Sequence, residues 1–420
     1  MKLIWTILNY FIFLYPLYMS FVWTTGALLF YFRRERKPFD FRIDRYPFFS
    51  ILIPAHNEAR IIRDMLNTLN DLDYPAYEVI VIDDNSTDAT ARILDDFTEN
   101  NKDWFKVIHL SPNSGKAAAL NAGILFSKGE LILTLDADCF INKDVLKIFA
   151  WHFVKYPRTG AVTGNPRIIN RTSLLGKIQI GEYSSIIGLI KRTQRILGKI
   201  LTVSGVIAAF RKSALCSCGL FDSDTVTEDI DITWKLQKKF WDVKFEPHAL
   251  CWILAPETWL GLWRQRIRWG QGGIEVLRKH RDIWFDARMR RFWPIYLEYI
   301  IAILWSFSLA SLILSWFVVY ALYYFGIIPI EPTQPFIPPV WTGSILALVC
   351  LLQSVVSFSI DYHYENKTFF KYYFWIIWYP FFYWLINAAG MIMGVFNVFI
   401  RRKGVSVKWE SPDRGLHTIK

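Results

Sequence analysis

The 420-residue chain has few cysteines and lacks the glycine-rich loops that usually hold nucleotide phosphates. Of its five cysteines, Cys216 and Cys218 are close together. No second pair and no histidine cluster accompanies them at zinc-ligand spacing, which favours free thiols over a zinc site. Neither Gly-x-Gly-x-x-Gly nor Gly-x-x-x-x-Gly-Lys-Ser/Thr occurs, which disfavours a dinucleotide cofactor and a P-loop ATPase. Phosphate binding in this chain would be helped by a metal ion.

Charged residues are also scarce, at 20% of the chain, whereas 53% of the residues are hydrophobic and 17% are aromatic. This composition is too apolar for an ordinary soluble domain. The apolar residues concentrate at the two ends, so we predict a soluble domain framed by membrane segments. Much of the net charge of +11 flanks the apolar stretches. This placement indicates membrane topology and does not favour nucleic-acid binding.

The N-terminal apolar segment, residues 3–32, is longer than the about 20 residues that a bilayer span needs. We therefore predict a transmembrane helix in residues 1–33. The basic cluster that follows, including Arg33, Arg34 and Arg36, argues against a signal peptide. By the positive-inside rule, this cluster and the domain after it lie in the cytoplasm.

Residues 294–400 contain three further apolar stretches, at 294–328, 341–360 and 369–400. The basic cluster at 401–403 should also be cytoplasmic, together with the tail 401–420. Three single crossings would place that tail outside the cell. One stretch is therefore a hairpin or partly interfacial, and 369–400 is the better candidate because Pro380 and Gly390 lie inside it.

The soluble part, residues 46–290, alternates predicted strands with predicted helices. The pattern predicts strands at 48–54, 77–84, 105–110 and 131–135, and helices at 60–72, 87–100 and 116–127. Such alternation predicts an α/β fold with a parallel sheet and helices on both faces.

Acidic residues follow two of these strands. Asp83 and Asp84 end one strand, and Asp136 and Asp138 follow another. The carboxyl ends of parallel strands meet at one edge of a sheet, where ligands bind. Paired carboxylates there suit Mg²⁺ or Mn²⁺. Alone, Asp-x-Asp is more often a solvated turn or a helix N-cap.

Two more polar groups follow. Glu228 and Asp229 lie in the first turn of a predicted helix, where they either compensate the helix dipole or supply a general base. Residues 259–273 interleave Trp, Arg and Gln. This pattern can stack sugar rings and bind pyrophosphate, or it can form a basic amphipathic helix on the membrane surface.

Four motifs in this order resemble those of the processive family 2 glycosyltransferases, which have a GT-A fold and include cellulose, chitin and hyaluronan synthases. The motifs are Asp84 with Asp83, Asp136-x-Asp138, Thr227-Glu228-Asp229 and Gln265-x-x-Arg268-Trp269. Segments 226–237, 256–273 and 409–415 are most similar to the bacterial poly-β-1,6-N-acetylglucosamine synthases. The resemblance implies a GT-A, Rossmann-like nucleotide-sugar domain within an α-helical membrane protein. The resemblance does not extend to the cyclic-dinucleotide-binding domain of bacterial cellulose synthases, which argues against that branch of the family.

The resemblance also implies a role for each motif residue. The residues that would bind the donor are Pro54, Ala55, Glu58, Asp83, Asp84, Lys116 and Asp136. Asp138, with Asp136, would hold the metal ion, Mg²⁺ or Mn²⁺. Asp229 would be the catalytic base, with Glu228 beside it. Gln265, Arg268 and Trp269 would bind the pyrophosphate and the acceptor.

The implied activity is inverting polymerisation of N-acetylglucosamine from UDP-N-acetylglucosamine at the bacterial inner membrane. The implied partners are the growing polysaccharide, membrane lipid and a small accessory membrane subunit. Glu298, Gln353 and Asn387 either line a polymer channel or make helix–helix contacts. The alternatives are chitin-oligosaccharide or hyaluronan synthesis, a single transfer to a polyprenyl phosphate, and a non-catalytic scaffold. The Gln265–Trp269 motif argues against the single transfer, and the intact acids argue against the scaffold.

Overall fold

The computed structural model of the chain describes residues 2–36, 40–329, 340–365, 367–376 and 379–400. The strands in these ranges are β1 (Phe49–Ala55), β2 (Tyr77–Asp84), β3 (Phe105–Leu110), β4 (Leu131–Leu135), β5 (Phe140–Ile141), β6 (Thr159–Ile168), β7 (Ile207–Arg211) and β8 (Asp242–Ile253). The α-helices are α1 (Lys2–Phe30), α2 (Ile62–Thr68), α3 (Thr90–Asn100), α4 (Lys116–Phe126), α5 (Val145–Lys155), α6 (Leu174–Glu182), α7 (Leu189–Leu197), α8 (Lys212–Ser217), α9 (Glu228–Lys238), α10 (Trp259–Lys279), α11 (Trp293–Tyr324), α12 (Val340–Asp361), α13 (Tyr373–Ile376) and α14 (Tyr379–Ile400).

These strands form one sheet in the order β3-β2-β1-β4-β7-β6-β8-β5. The four predicted strands, β1 to β4, are parallel, as expected. The expectation of a wholly parallel sheet is wrong, because β7 runs antiparallel to both β4 and β6. Ile207 begins β7 beside Leu135, the last residue of β4. The loop before β7 therefore lies at the carboxyl edge of the sheet, where the acids collect.

The sheet is covered on both faces. Every residue of β1, β4 and β6 is buried, which explains why β1 and β4 appear in the sequence as continuous apolar runs. Two predicted helices differ at their ends. Helix α3 begins at Thr90 and not at residue 87, because Asp88 accepts hydrogen bonds from the Thr90 backbone N–H (2.9 Å) and hydroxyl (2.5 Å). Helix α2 ends in a 3₁₀ turn, Leu69–Asp71.

Three helical segments among the described residues are long and apolar enough to cross a membrane: Leu3–Glu35, Trp293–Tyr324 and Gly343–Asp361. The first consists of α1 and its π-helical continuation, Tyr31–Glu35. The predicted stretch 369–400 is divided into a 3₁₀ segment, Lys367–Tyr372, and the helices α13 and α14. Helix α14 packs along α10 and α11. The predicted tail 401–420 lies outside the described residues.

Buried ion pairs join the α/β domain to the membrane helices. Arg192 of α7 contacts Glu35 at 2.9 Å and Asp361, at the end of α12, at 3.2 Å. Asp361 also accepts hydrogen bonds from Arg167 (2.6 Å) and from Ser184 (2.5 Å). The side chains of these four charged residues are at most 3% exposed. Each charge therefore needs its partners, because an unpaired charge at this depth is strongly unfavourable.

Candidate active site

Asp84 lies at the carboxyl edge of the sheet, in the cleft where the sequence predicts donor binding. It ends β2, is fully buried, and its two carboxylate oxygens accept hydrogen bonds from the backbone N–H groups of Ser114 (2.7 Å) and Gly115 (2.8 Å). Gly115 has φ +87°, a conformation that side-chain-bearing residues rarely adopt. Asp84 thereby fixes the loop that leads directly into Lys116 and α4.

Asp83 lies beside it and is 3% exposed. Its carboxylate accepts a hydrogen bond from the Ser86 backbone N–H (3.1 Å) and contacts His109 Nδ1 at 2.9 Å. Burial lowers the pKa of His109, but hydrogen bonds to Asp83 and Asp95 outweigh burial and raise it. In the sheet register Asp83 is the neighbour of Ala55, so the ends of β1 and β2 meet.

The other predicted donor residues follow the same edge. Pro54 pairs with Ile82 in the sheet register. Glu58 is buried in the loop after β1, and its backbone N–H donates to the Thr90 hydroxyl at 2.8 Å. The loop after β1 is thus fixed to the start of α3, next to the strand end that carries Asp83.

Lys116 joins the separate motifs at the centre of the site. Its Nζ lies 2.7 Å from Asp136 Oδ1 and 3.2 Å from Glu228 Oε1, and it donates to the Gly205 carbonyl at 3.1 Å. Burial lowers the pKa of Lys116, whereas Asp136 and Glu228 raise it, and the net result is a raised pKa. Lys116 therefore stays protonated and holds the acids of β4 and α9 together.

Asp229 occupies an environment suited to a general base. Burial and the charge of Glu228 raise its pKa to about 6, against the opposing effects of Lys116 and Arg268. The backbone of Gly205 approaches it so closely that a Cβ at that position would lie 3.0 Å from Asp229 Oδ2. A base with this pKa is largely ionised at neutral pH and can still accept a proton efficiently.

Asp138 is 5% exposed and accepts a hydrogen bond from Cys139 Sγ at 3.7 Å. The side chain of Asp136 is 20% exposed, so one face of this carboxylate reaches the cleft. Two carboxylates at a strand end are hard oxygen donors, which is the chemistry that Mg²⁺ and Mn²⁺ require. The donor set fits the expected metal.

A second group of acidic side chains encloses a lysine ammonium. Asp222, Asp224 and Asp231 surround the Lys279 ammonium at 2.6, 2.7 and 3.1 Å. Lys279 thus occupies the position that a cation would take. This cluster braces α9 against α10.

Helix α10 presents Gln265, Arg268, Trp269 and Gly272 at the spacing of one helical face. A Cβ on Gly272 would clash with the Thr227 side chain, so the face packs directly against the start of α9. The buried Oε1 of Gln265 accepts no hydrogen bond from any residue that the structure describes. It is therefore ready to accept one from a bound molecule.

Arg266 and Glu182 are functional candidates that the sequence did not indicate. They form a buried ion pair between α10 and α6. The Arg266 guanidinium also lies 4.4 Å from the ring centroid of Trp269. Through these contacts it fixes the orientation of the Trp269 ring.

A cavity of about 240 Å³ lies between the membrane helices, and Trp269 and Gly270 of α10 are among its lining residues. Side chains from α1, α10, α11, α12 and α14 line it. They include Gln353 and Asn387, whereas Glu298 is not among the lining residues. Gln353 donates to the Ser185 carbonyl at 2.7 Å. Glu298 instead accepts a hydrogen bond from Trp23.

The fold and the site define a nucleotide-sugar-dependent glycosyltransferase of the GT-A type, with long apolar helices that indicate membrane embedding. Residues 50–218 match the family model described as Glycosyl transferase family 2. The chain is 40% identical to the poly-beta-1,6-N-acetyl-D-glucosamine synthase of Staphylococcus epidermidis, over 96% of this chain and 98% of that protein. The corresponding synthase of Staphylococcus aureus strain COL is 39% identical over 96% and 98%.

The chain therefore belongs to glycosyltransferase family 2. Its fold is shared with a solved structure of the mannosyltransferase PcManGT from Pyrobaculum calidifontis, in complex with GDP-Man and Mn²⁺. The two superpose with a TM-score of 0.63 at 20% identity, and the match covers 92% of this chain and 99% of that one.

Proposed function

We propose that the protein polymerises N-acetylglucosamine from UDP-N-acetylglucosamine into poly-β-1,6-N-acetylglucosamine and exports the product. The observation that carries this proposal is the continuity of the site. Lys116 and Glu228 adjoin Asp229, Arg268 of the α10 face acts on the same carboxylate, and Trp269 of that face lines the cavity between the membrane helices. The near full-length likeness to the staphylococcal synthases supports the choice of sugar and linkage.

The donor side binds the UDP moiety. Asp83 and Asp84 lie where a uridine would meet the ends of β1 and β2, with Pro54, Ala55 and Glu58 lining the base pocket. Since both oxygens of Asp84 already accept backbone hydrogen bonds, its main effect is to hold the loop before Lys116 in place. Lys116 and Asp136 then lie on the sugar-diphosphate side.

The metal fits the carboxylates after β4. Asp138, with Asp136, would hold Mg²⁺ or Mn²⁺, and a bound ion would offset the negative charge that builds up on the departing diphosphate. The mannosyltransferase that shares this fold was solved with Mn²⁺ and a nucleotide sugar, which is consistent with this assignment.

The reacting proton goes to Asp229. As the acceptor 6-hydroxyl attacks the anomeric carbon, its proton passes to the Asp229 carboxylate and the bond from the anomeric carbon to UDP breaks. A single displacement inverts an α-linked donor into a β-linked product. Lys116 and Arg268 place positive charge beside the acids, which keeps Asp229 ionised before the attack.

The acceptor end of the polymer binds against α10. Gln265 Oε1, which accepts no hydrogen bond within the described ranges, accepts one from a sugar hydroxyl. Arg268 contacts the pyrophosphate, and the Trp269 ring stacks on a sugar. From Trp269 the chain enters the cavity, where Gln353 and Asn387 supply polar groups. Residues 1–33 and 294–400 are the membrane regions around the catalytic domain, 46–290.

We assign the protein to the bacterial inner membrane as a multi-pass protein, with residues 46–290 and the tail 401–420 in the cytoplasm. Arg33 and Arg34, directly after the first apolar span, support this orientation. A small accessory membrane subunit is part of the proposal because polymer export needs a continuous passage across the bilayer.

The test is donor use by membranes that contain the full chain. With Mg²⁺ or Mn²⁺ present, UDP-N-acetylglucosamine should be converted into a long polymer and UDP, whereas UDP-glucose and UDP-glucuronate should remain. The Asp229→Asn variant serves as the inactive control. Transfer of one sugar to a polyprenyl phosphate, without polymer, would overturn the proposal even after a membrane partner has been added back.

A further inference from the structure

The first turn of α9, which carries Glu228 and Asp229, is held from outside the helix. Within the part of the chain that the structure describes, its N-cap residue, Thr227, makes no capping hydrogen bond with its side chain, and the buried Thr227 hydroxyl has no hydrogen-bond partner. An N-cap side chain normally accepts a hydrogen bond from one of the free backbone N–H groups at a helix start. Contacts from other elements must therefore fix the position of this turn.

Glu275 of α10 supplies such a contact. Its Oε2 accepts a hydrogen bond from the backbone N–H of Val226, in the segment that enters α9, at 2.9 Å. Gly272 lies three residues earlier on the same face of α10 and packs against the Thr227 side chain. One face of α10 thus contacts the entry to α9 at two successive turns.

The Glu275 carboxylate is itself held in place. Its other oxygen, Oε1, accepts a hydrogen bond from the Gln271 side-chain amide at 2.9 Å, and Gln271 in turn accepts one from Asn397 of α14 at 3.3 Å. Helices α10 and α14 are in backbone contact at this level, since a Cβ on Gly394 would clash with the Gln271 backbone. Both oxygens of Glu275 are therefore engaged, one by the entry to α9 and the other by a residue at the contact between α10 and α14.

A displacement at Val226 would reach the reaction through Asp229. The two residues are three positions apart, and a helix start moves with the segment that enters it. Misplacing a catalytic group by about 1 Å can lower a rate about 10²-fold. Asp84 and Asp138, by contrast, lie at the ends of β2 and β4, outside this turn. Loss of the Glu275 contact should therefore affect sugar transfer more than donor binding.

We propose that Glu275 is a positioning residue of the transfer reaction. By accepting hydrogen bonds from the Val226 backbone and from Gln271, it keeps the first turn of α9 aligned with α10. The Asp229 carboxylate is thereby held where the acceptor hydroxyl arrives. This inference rests on the proposed role of Asp229 as the base, and it does not depend on the proposed sugar or linkage.

The test compares Glu275→Ala, which removes both acceptor oxygens, with Glu275→Gln, which keeps one oxygen for the Val226 N–H. UDP release by the full chain gives kcat and the donor KM, and calorimetry gives the UDP affinity. We expect Glu275→Ala to lower kcat about tenfold or more, with donor KM and UDP affinity within about twofold of the parent. Glu275→Gln should keep kcat within about threefold. Arg278→Ala, an exposed change on the next turn of α10, is the matched control and should behave as the parent does.

Backbone hydrogen exchange tests the same contact without any sugar transfer. In the purified full chain, the peptide covering residues 223–230 should exchange faster in Glu275→Ala than in the parent, because the Val226 N–H has lost its acceptor. The same peptide should exchange at the parent's rate in Glu275→Gln, which keeps an acceptor for that N–H.

Four results would overturn the proposal. They are a parent-like kcat in Glu275→Ala, an equal loss of kcat in the Ala and Gln variants, unchanged hydrogen exchange, and a loss of UDP affinity in parallel with kcat. The last of these would mark a general structural role. A parent that releases UDP but makes a different polymer would instead overturn the proposed linkage, and the comparison of the Glu275 variants would still hold.

Discussion

The environment of Asp229 predicts how its pKa responds to each neighbouring charge. Burial and Glu228 raise this pKa from 3.8 to about 6, and Lys116 and Arg268 lower it. Glu228→Gln removes the second of the two raising effects, so the pKa should fall by about one unit, which corresponds to about 1.4 kcal/mol. Arg268→Gln removes a lowering effect, so it should move the pKa in the opposite direction.

The pKa of the base appears as the acid limb of kcat/KM against pH, because the protonated carboxyl cannot accept the acceptor proton. The parent should lose activity below about pH 6. At pH 5 it should retain about a tenth of its plateau value, and Glu228→Gln about half of its own plateau.

The assay is UDP release between pH 4.5 and 8 at a fixed free metal concentration, with each profile scaled to its own plateau. Glu99→Gln, an exposed change on α3, is the control and should leave the limb in place. A limb that stays fixed in Glu228→Gln, or that moves to higher pH, would contradict the assignment of Asp229 as the base.

Three further changes test other parts of the molecule. Asp229→Asn should lower turnover at least about 10²-fold while UDP affinity, measured by calorimetry, stays within a factor of two of the parent. Arg192→Gln should cost about 3–5 kcal/mol of stability in thermal unfolding, because buried Glu35 loses its arginine partner and buried Asp361 loses one of its two; an unchanged midpoint would show that the network is solvated. Gly272→Ala should cost about 1–3 kcal/mol and lower turnover, because its Cβ meets the Thr227 side chain; parent-like activity would mean that α9 and α10 can move apart freely.

The sequence was sufficient for the first half of the sheet. Strands β1, β2 and β4 are buried almost throughout, so their apolar runs, and the acids at the ends of β2 and β4, were visible without a structure. The direction of β7 was not visible, because it depends on which neighbours the strand joins and not on its own residues. As a result, the approach of Gly205 to Lys116 and Asp229 could not be foreseen.

In the site, as in the sheet, some features could be predicted from the sequence and others could not. Acidic motifs at strand and helix ends could be located because charged residues interrupt apolar patterns. The partners that hold them could not be located in this way. His109 appears in the sequence as an ordinary strand residue, and Glu182 is 84 residues away from Arg266, with which it pairs. Such pairs exist only once the tertiary fold brings the two elements together.

The central claim is the identity of the product. Polymer made by the full chain from UDP-N-acetylglucosamine should be degraded by a β-1,6-specific hexosaminidase and should resist chitinase. Such a result would establish both processive synthesis and the linkage. A product that chitinase degrades and the β-1,6-specific enzyme does not would contradict the proposed linkage, while leaving the fold and the assignment of Asp229 intact.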